Sequence, residues 1–267
     1  MTFFIAALLI ALAAYFFFRK RKLDAVAVAV PLTEYRSLLN EHVAYYRKLD
    51  DAGKARFVQL VQEFLDGVHI EGVGTEVAEI DRTLIASSAV IPVFGFPEWR
   101  YKNLTNIILY PDTFNGEFEF EGGSRNILGM VGSGYMNGQM LLSRAALTRV
   151  FAANNGKENT AIHEFVHLLD KADGATDGVP EYLMAHEYAL PWLQMMHQEM
   201  QRIEQGRSDI NPYALTNEAE FLAVAAEYFF EKPEQFKDKH PELYQQLSLI
   251  FGQNPAGEPA DVSSVDA

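Results

Sequence analysis

The sequence predicts a helix-rich α+β protein with one small sheet. Apolar residues recur at helical spacing before residue 91 and after residue 159. Between these regions, short apolar runs alternate with glycines and turn residues, which is typical of strands and loops. With 49% hydrophobic and 22% charged residues, the composition is that of an ordinary globular protein.

The elements follow in the order helices, sheet, helices. Helical periodicity predicts helices at Thr33–Asp50, Lys54–Val68 and Glu79–Ile91, and again from Asn159 to about Gly252. β-rich or alternating patterns predict strands at Leu104–Tyr110, Glu117–Glu121 and Met140–Ser143. We expect the last of these strands to form an edge of the sheet.

The N-terminal segment predicts a membrane anchor. Thr2–Phe18 carries no charge and approaches the ~18-residue minimum for a spanning helix. The basic run Arg19–Lys22 follows at once, so the positive-inside rule places the rest of the chain in the cytoplasm. The alternatives are a cleaved signal peptide, disfavoured by the bulky Tyr15–Phe18, or an apolar helix buried elsewhere.

The sequence therefore predicts a single-pass protein of the inner membrane with a cytoplasmic domain. The predicted divisions are an anchor with its basic stop (1–22), a linker (23–32), one domain (33–253) and a disordered tail (254–267).

Composition excludes several functions. The chain has no cysteine, which rules out disulfides, thiolate metal ligands and cysteine nucleophiles. Any metal must therefore be held by His, Asp or Glu. The formal net charge is -14, and a chain this acidic is a poor candidate for direct nucleic-acid binding.

The strongest chemical signal is the segment His163–His167, which fits the pattern H-E-x-x-H. Residues four apart share a helix face, so the imidazoles of His163 and His167 can converge on one ion at about 2.0–2.1 Å. Glu164 lies about 100° around the helix from the first histidine. Its carboxylate can take a proton from a metal-bound water without being a ligand.

The flanking residues fit a helix at this site. Asn159 or Thr160 can cap its start, and Gly174 can end it. Asp170, three residues beyond the second histidine, can accept an imidazole N–H, and a surface acid at a helix end is nearly as good an interpretation. Glu227 can support a ligand in the same way or pair with a base.

The ion needs a third protein ligand. His186 and His197 are available, but no pattern supports either one. The acidic segment Glu218–Glu231 is a better source, and within it Glu220 and Glu227 are seven residues apart on one helix face. Spacing alone does not choose between these two glutamates.

The chain resembles the Mlc titration factor A family of bacterial metallopeptidases, which are zincins with two His ligands and one Glu. The resemblance covers roughly residues 35–255. It is carried by Asp81–Phe114, by His163–Asp170 with the following Gly178-Val179-Pro180, and most distinctively by Asn211–Asn217, Ala219–Phe221 and Glu227–Phe230.

This resemblance implies the remaining site residues. In the family the third zinc ligand is the Glu seven residues after the Tyr of a Pro-Tyr-Ala segment, which implies Glu220 as ligand and Tyr213 as the residue that stabilises the oxyanion. It implies a zincin-like peptidase with one zinc ion per chain and Glu164 as the proton shuttle, acting on a peptide or protein.

Two aspects of the function stay open at this stage. Cleavage can be internal or aminopeptidase-like, and we expect an extended substrate to add as a strand beside Met140–Ser143. The alternative function is a regulatory binding protein, because the family name reflects sequestration of a transcriptional repressor.

Overall fold

The computed structural model describes residues 32–257, except residues 97, 123, 133, 154–155 and 185–187. Contacts divide the chain into two units, Met1–Tyr35 and Arg36–Ala267, and the site lies in the second. The predicted fold class is confirmed in its main part, since the described residues form a helix-rich α+β arrangement with a small four-stranded sheet.

Among the described residues, four helices precede or flank the first strands. They are α1 (Leu32–His42), α2 (Ala44–Lys48), α3 (Asp51–Gly67) and α4 (Glu79–Val93). The prediction of one helix over Thr33–Asp50 is wrong at Val43, where the backbone is extended (φ -105°, ψ 101°). Helix α3 begins three residues before the predicted start because Asp50 caps it, accepting a 2.7 Å hydrogen bond from the amide of Gly53.

The sheet has the order β1-β2-β4-β3. Its strands are β1 (His69–Gly72), β2 (Asn106–Tyr110), β3 (Gly129–Val131) and β4 (Gln139–Ser143). Strands β1, β2 and β4 run parallel, and β3 is antiparallel to β4. The prediction that Met140–Ser143 forms an edge is therefore wrong. Met140, Leu141 and Leu142 are all buried, which suits an interior strand.

The segment Glu117–Glu121 is not a strand, contrary to its alternating pattern. The side-chain oxygen of Asn115 accepts hydrogen bonds from the amides of Glu117 (3.0 Å) and Glu119 (2.9 Å). Phe118 between them has a left-handed φ of 65°. This side-chain-to-backbone bonding folds the segment into a turn in place of a ladder.

Six helices complete the fold. They are α5 (Arg144–Ala153), α6 (Thr160–Asp170), α7 (Ala189–Glu204), α8 (Glu218–Glu231), α9 (Pro233–Lys239) and α10 (Pro241–Phe251). Helix α6 packs against α4, α8 and strand β3. The segment with the H-E-x-x-H pattern therefore lies between β3, one of the two outer strands of the described sheet, and α8, the helix that carries the candidate glutamates.

The predicted location needs correction. Within the described ranges no helix combines the length and the apolar character that crossing a bilayer requires. The prediction of a single-pass inner-membrane protein is therefore withdrawn. Residues 2–18, on which that prediction depended, lie outside the described residues, as do residues 23–31 of the predicted linker and 258–267 of the predicted tail. In the described part of the predicted tail, Oδ1 of Asn254 accepts a hydrogen bond from the hydroxyl of Tyr244, and the amide of Ala256 donates one to the same hydroxyl.

Candidate metal centre

Asn159, one of the two predicted caps, is the N-cap of helix α6. The Asn159 side-chain oxygen accepts a 3.1 Å hydrogen bond from the amide of Ile162. After α6, a short 3₁₀ turn (Lys171–Asp173) ends at Gly174, whose left-handed φ of 102° suits a glycine. The capped helix fixes the direction in which its polar side chains leave the backbone.

Three donor atoms from α6 and α8 converge on one point. Nε2 of His163 lies 3.0 Å from Nε2 of His167 and 2.9 Å from Oε2 of Glu220. Nε2 of His167 lies 3.4 Å from the same Glu220 oxygen. Among the described residues this trio forms a group whose ligand atoms all lie within 4.8 Å of one another, as a single metal ion requires.

The donor set fits a zinc ion. Bonds of about 2.0–2.2 Å in tetrahedral geometry place ligand atoms about 3.3 Å apart, close to the spacings observed. Two imidazoles and one carboxylate are the donors of zinc sites that leave a fourth position open for chemistry. Nε2 of His163 can face the Glu220 carboxylate only through a proton or a cation, because its own lone pair would be repelled.

Glu227 lies behind the centre and not in it. Its Oε1 is 2.7 Å from Nδ1 of His163, while its Oε2 accepts a hydrogen bond from the backbone amide of Asn159. A proton on Nδ1 leaves Nε2 of the neutral ring free to bind a metal. Of the two glutamates that spacing could not separate, the structure thus places Glu220 with the imidazoles and Glu227 on the far edge of the ring.

The residues of the candidate centre have strongly shifted pKa values. Burial disfavours a charged imidazole, but hydrogen bonds to Glu220 and Glu227 outweigh this effect and raise the pKa of His163 to about 10. Burial likewise opposes ionisation of Glu220, yet its hydrogen bonds with His163 and His167 lower its pKa to about 2. The ring and the carboxylate therefore interact strongly, and a cation bound by these donors would take the place of the proton on the His163 nitrogen that faces Glu220.

Glu164 lies on the side of α6 that faces strand β3. The residue is 6% exposed, and burial raises the pKa of its carboxyl to about 7. A β-carbon added at Gly129 would lie 2.8 Å from both Cγ and Oε1 of Glu164. A glycine at this position of β3 therefore lets the outer strand approach the carboxylate closely.

Tyr213 stands at the rim of the centre. It lies on a 3₁₀ turn, Pro212–Leu215, is 54% exposed, and has its ring centroid 6.1 Å from that of His163. Burial, followed by the negative charges of Glu220 and Glu164, raises the pKa of its hydroxyl. The phenol thus stays protonated and can donate a hydrogen bond into the cleft.

The remaining predicted candidates lie elsewhere. His197 pairs with Glu218 on an exposed surface at 3.0 Å, and His186 is outside the described residues. The idea that Asp170 supports an imidazole does not match the structure, where its Oδ2 accepts a 3.0 Å bond from the amide of Gly178. Asp170 therefore fixes the segment that follows the metal helix.

Sequence reasoning missed two contributors. Asn159 was recognised only as a cap, but its Nδ2 also donates a 2.7 Å hydrogen bond to Oε1 of Glu231. The available signal was that Glu227 and Glu231 are four residues apart on one helix face. Gly129 had no comparable signal, because a strand of three residues is too short to show a period.

The chain is similar to known proteins over most of its length. Mlc titration factor A of Escherichia fergusonii is 30% identical over 220 residues, covering 76% of this chain and 80% of the relative. The protein of the same name from Cronobacter sakazakii is 29% identical over 225 residues, covering 78% and 82%. An uncharacterized protein of Synechocystis sp. is 26% identical over 232 residues, covering 83% and 84%.

The family match extends over most of the chain. The model of the glucose-regulated metallo-peptidase M90 family matches residues 17–252, which include every residue of the candidate centre. The resemblance to Mlc titration factor A predicted from the sequence is confirmed by the relatives above. This chain belongs to the glucose-regulated metallo-peptidase M90 family.

Proposed function

We propose that the chain is a zinc-dependent peptidase. The observation that carries the proposal is the convergence of two imidazole nitrogens and one carboxylate oxygen, all within 3.4 Å of one another, beside the buried carboxyl of Glu164. Membership of a metallo-peptidase family supports the reaction class.

Each residue of the centre has a role in peptide hydrolysis. His163, His167 and Glu220 would hold the zinc ion, which when bound polarises a carbonyl and lowers the pKa of water. Glu164, with its pKa raised to about 7, accepts the proton of the attacking water and passes it to the leaving amine. Tyr213 donates a hydrogen bond to the substrate oxygen as negative charge develops there.

The outer strand of the sheet is the proposed substrate site. Within the described part of the chain β3 pairs only with β4, so the other row of its N–H and C=O groups is available to an extended peptide. Gly129 lets strand β3 lie close to Glu164. A peptide that adds as a further strand would therefore pass the base and the metal donors.

Replacing Glu164 with Gln tests the proposal. The change keeps the size of the side chain but removes the proton acceptor, so we expect hydrolysis of an unstructured peptide to fall by roughly 10²–10⁴-fold. Zinc content, measured by elemental analysis, should remain near one ion per chain. Comparing peptides that have a free N-terminus with the same peptides after N-acetylation distinguishes internal cleavage of the peptide from cleavage at its N-terminus.

Glu218→Gln is the matched control, because Glu218 is exposed, pairs with His197 and lies outside the centre. It should leave the rate of hydrolysis unchanged. A zinc-loaded wild-type chain that hydrolyses peptides no faster than Glu164→Gln would contradict the peptidase proposal.

A regulatory binding protein is the second candidate, which the name Mlc titration factor A of the relatives favours. Its partner would be a transcriptional repressor of the Mlc kind. Glu164→Gln separates the two functions, because a binding protein tolerates the substitution whereas a peptidase does not. Equal affinity of wild-type and variant chains for the repressor, without any hydrolysis by either, would establish the second function in place of the first.

A further inference from the structure

Asn159 makes three hydrogen bonds next to the candidate centre. Its backbone amide donates to Oε2 of Glu227, its Oδ1 accepts from the amide of Ile162 at 3.1 Å, and its Nδ2 donates to Oε1 of Glu231 at 2.7 Å. The residue is only 1% exposed. Because Glu227 in turn lies 2.7 Å from Nδ1 of His163, a continuous chain of hydrogen bonds joins Glu231 to a metal donor.

We propose that Asn159 is a positioning residue for the metal centre, and that its hydrogen bond to Glu231 holds Asn159 in place. The side-chain bond holds the Asn159 backbone so that its amide fixes Glu227, and Glu227 orients the ring of His163. This inference extends the proposed function, since it concerns how the same centre is kept ready for its ion.

The choice of side chain supports this assignment. Asn and Asp are equally good N-cap residues, so capping of α6 does not require the amide. The contact with Glu231 does require it, because of these two residues only Asn offers both an acceptor to the helix and a donor to a carboxylate. An Asp here would place two carboxylates face to face in a buried site, which is unfavourable.

The relation between the two glutamates adds a second argument. Glu227 and Glu231 leave α8 four residues apart and both point towards the start of α6. Asn159 supplies each of them with a different donor, the backbone amide for Glu227 and Nδ2 for Glu231. Loss of the bond from Nδ2 to Glu231 therefore leaves Asn159 free to move, and with it the backbone amide that binds Glu227.

The test is a donor–acceptor exchange in the full-length chain. Asn159→Asp keeps the cap but loses the donor to Glu231, and we expect its zinc affinity to fall by about 10–100-fold. Glu231→Gln keeps an acceptor for Asn159, so its affinity should stay within about threefold of wild type. In the double variant the Gln amide can donate to the Asp carboxylate, and we expect zinc affinity to return to within about threefold.

Zinc affinity is measured by competition with a coloured chelator, and kcat and KM with a peptide substrate. We expect kcat to follow zinc affinity at limiting zinc, and KM to change little. Charge alone predicts the opposite result for Asn159→Asp, because an added negative charge near the centre favours a cation. A fall in affinity therefore reports lost positioning.

Folding is monitored separately, by the Tm of each variant in excess chelator. Unchanged zinc affinity in Asn159→Asp, or a double variant as weak as the single one, would overturn the proposal. A variant that loses only Tm would also overturn it, since Asn159 would then act on the fold alone. Failure of the proposed function looks different, because the wild-type chain itself would then bind no zinc, or would bind zinc without hydrolysing peptides.

Discussion

Glu227 Oε1 lies 2.7 Å from Nδ1 of His163, on the ring edge opposite the nitrogen that faces Glu220. A carboxylate in this position fixes both the tautomer and the orientation of the ring. Replacing Glu227 with Ala should therefore lower zinc affinity by about 10–100-fold, although no metal donor is removed. Chelator competition measures the effect, with Glu218→Gln as a control, and an unchanged Kd would show that the ring is positioned without Glu227.

The metal donors themselves should be indispensable. We expect His163→Ala, His167→Ala and Glu220→Ala each to lower zinc content from about one ion per chain towards zero. His197→Ala is the matched control, because this histidine is exposed and lies outside the trio of donors. Zinc retained at the wild-type level in a Glu220 variant would assign the third ligand to another residue.

Removing the Tyr213 hydroxyl should affect the transition state more than the bound substrate. For Tyr213→Phe we expect kcat to fall by roughly 10²-fold, as found when one oxyanion donor is lost, with KM and zinc content nearly unchanged. A raised KM at constant kcat would instead assign the phenol to substrate binding.

A methyl group at Gly129 should push strand β3 away from the base. A β-carbon there lies 2.8 Å from Glu164, so Gly129→Ala should lower kcat/KM by roughly 10²-fold. Gly116→Ala is the control, because nothing lies within 4 Å of its added β-carbon. Equal kcat/KM for the two variants would mean that the outer strand moves aside without consequence.

The stability of the fold should depend on pH through His240. Its Nε2 is 2.8 Å from Asp209 and its Nδ1 is 3.2 Å from Glu199. Burial disfavours the charged ring, but its interactions with the Glu199 and Asp209 carboxylates outweigh burial and raise the pKa of His240. A raised folded-state pKa increases the free energy of unfolding. This contribution is complete at pH values below the unfolded-state pKa of about 6.5, and it disappears as pH rises through the folded-state pKa.

The corresponding experiment compares wild type with His240→Gln. We expect the variant to lose about 2 kcal/mol near pH 6, or about 4–8 °C in Tm, and the difference to shrink as pH rises. A difference that stays constant or grows between pH 6 and pH 9 would contradict the charge-based explanation.

The sequence predicts most of the centre because helical spacing is a local property. Residues four apart on α6 must share a face, so the roles of His163, His167 and Glu164 can be inferred without any tertiary contact. The third ligand is different, because Glu220 and Glu227 satisfy the same local rule. Only the packing of α8 against α6 decides which glutamate meets Nε2 and which meets Nδ1.

The sheet shows where local patterns fail. Met140–Ser143 has a clear strand pattern, but its place inside the sheet depends on its pairing with β3, which only three residues form. The alternation of Glu117–Glu121 resembles a strand, yet the side chain of Asn115 offers its amides a closer partner. Position within a sheet and competition for backbone groups are tertiary effects that single-sequence patterns do not contain.

The shortness of β3 also has a consequence for solubility. An open strand is a template on which other chains can pair, and long open strands lead to aggregation. With three residues, Gly129–Val131, the outer strand exposes few backbone groups. It can accept one flexible segment next to the metal donors, but it is too short to join the sheets of two folded copies edge to edge.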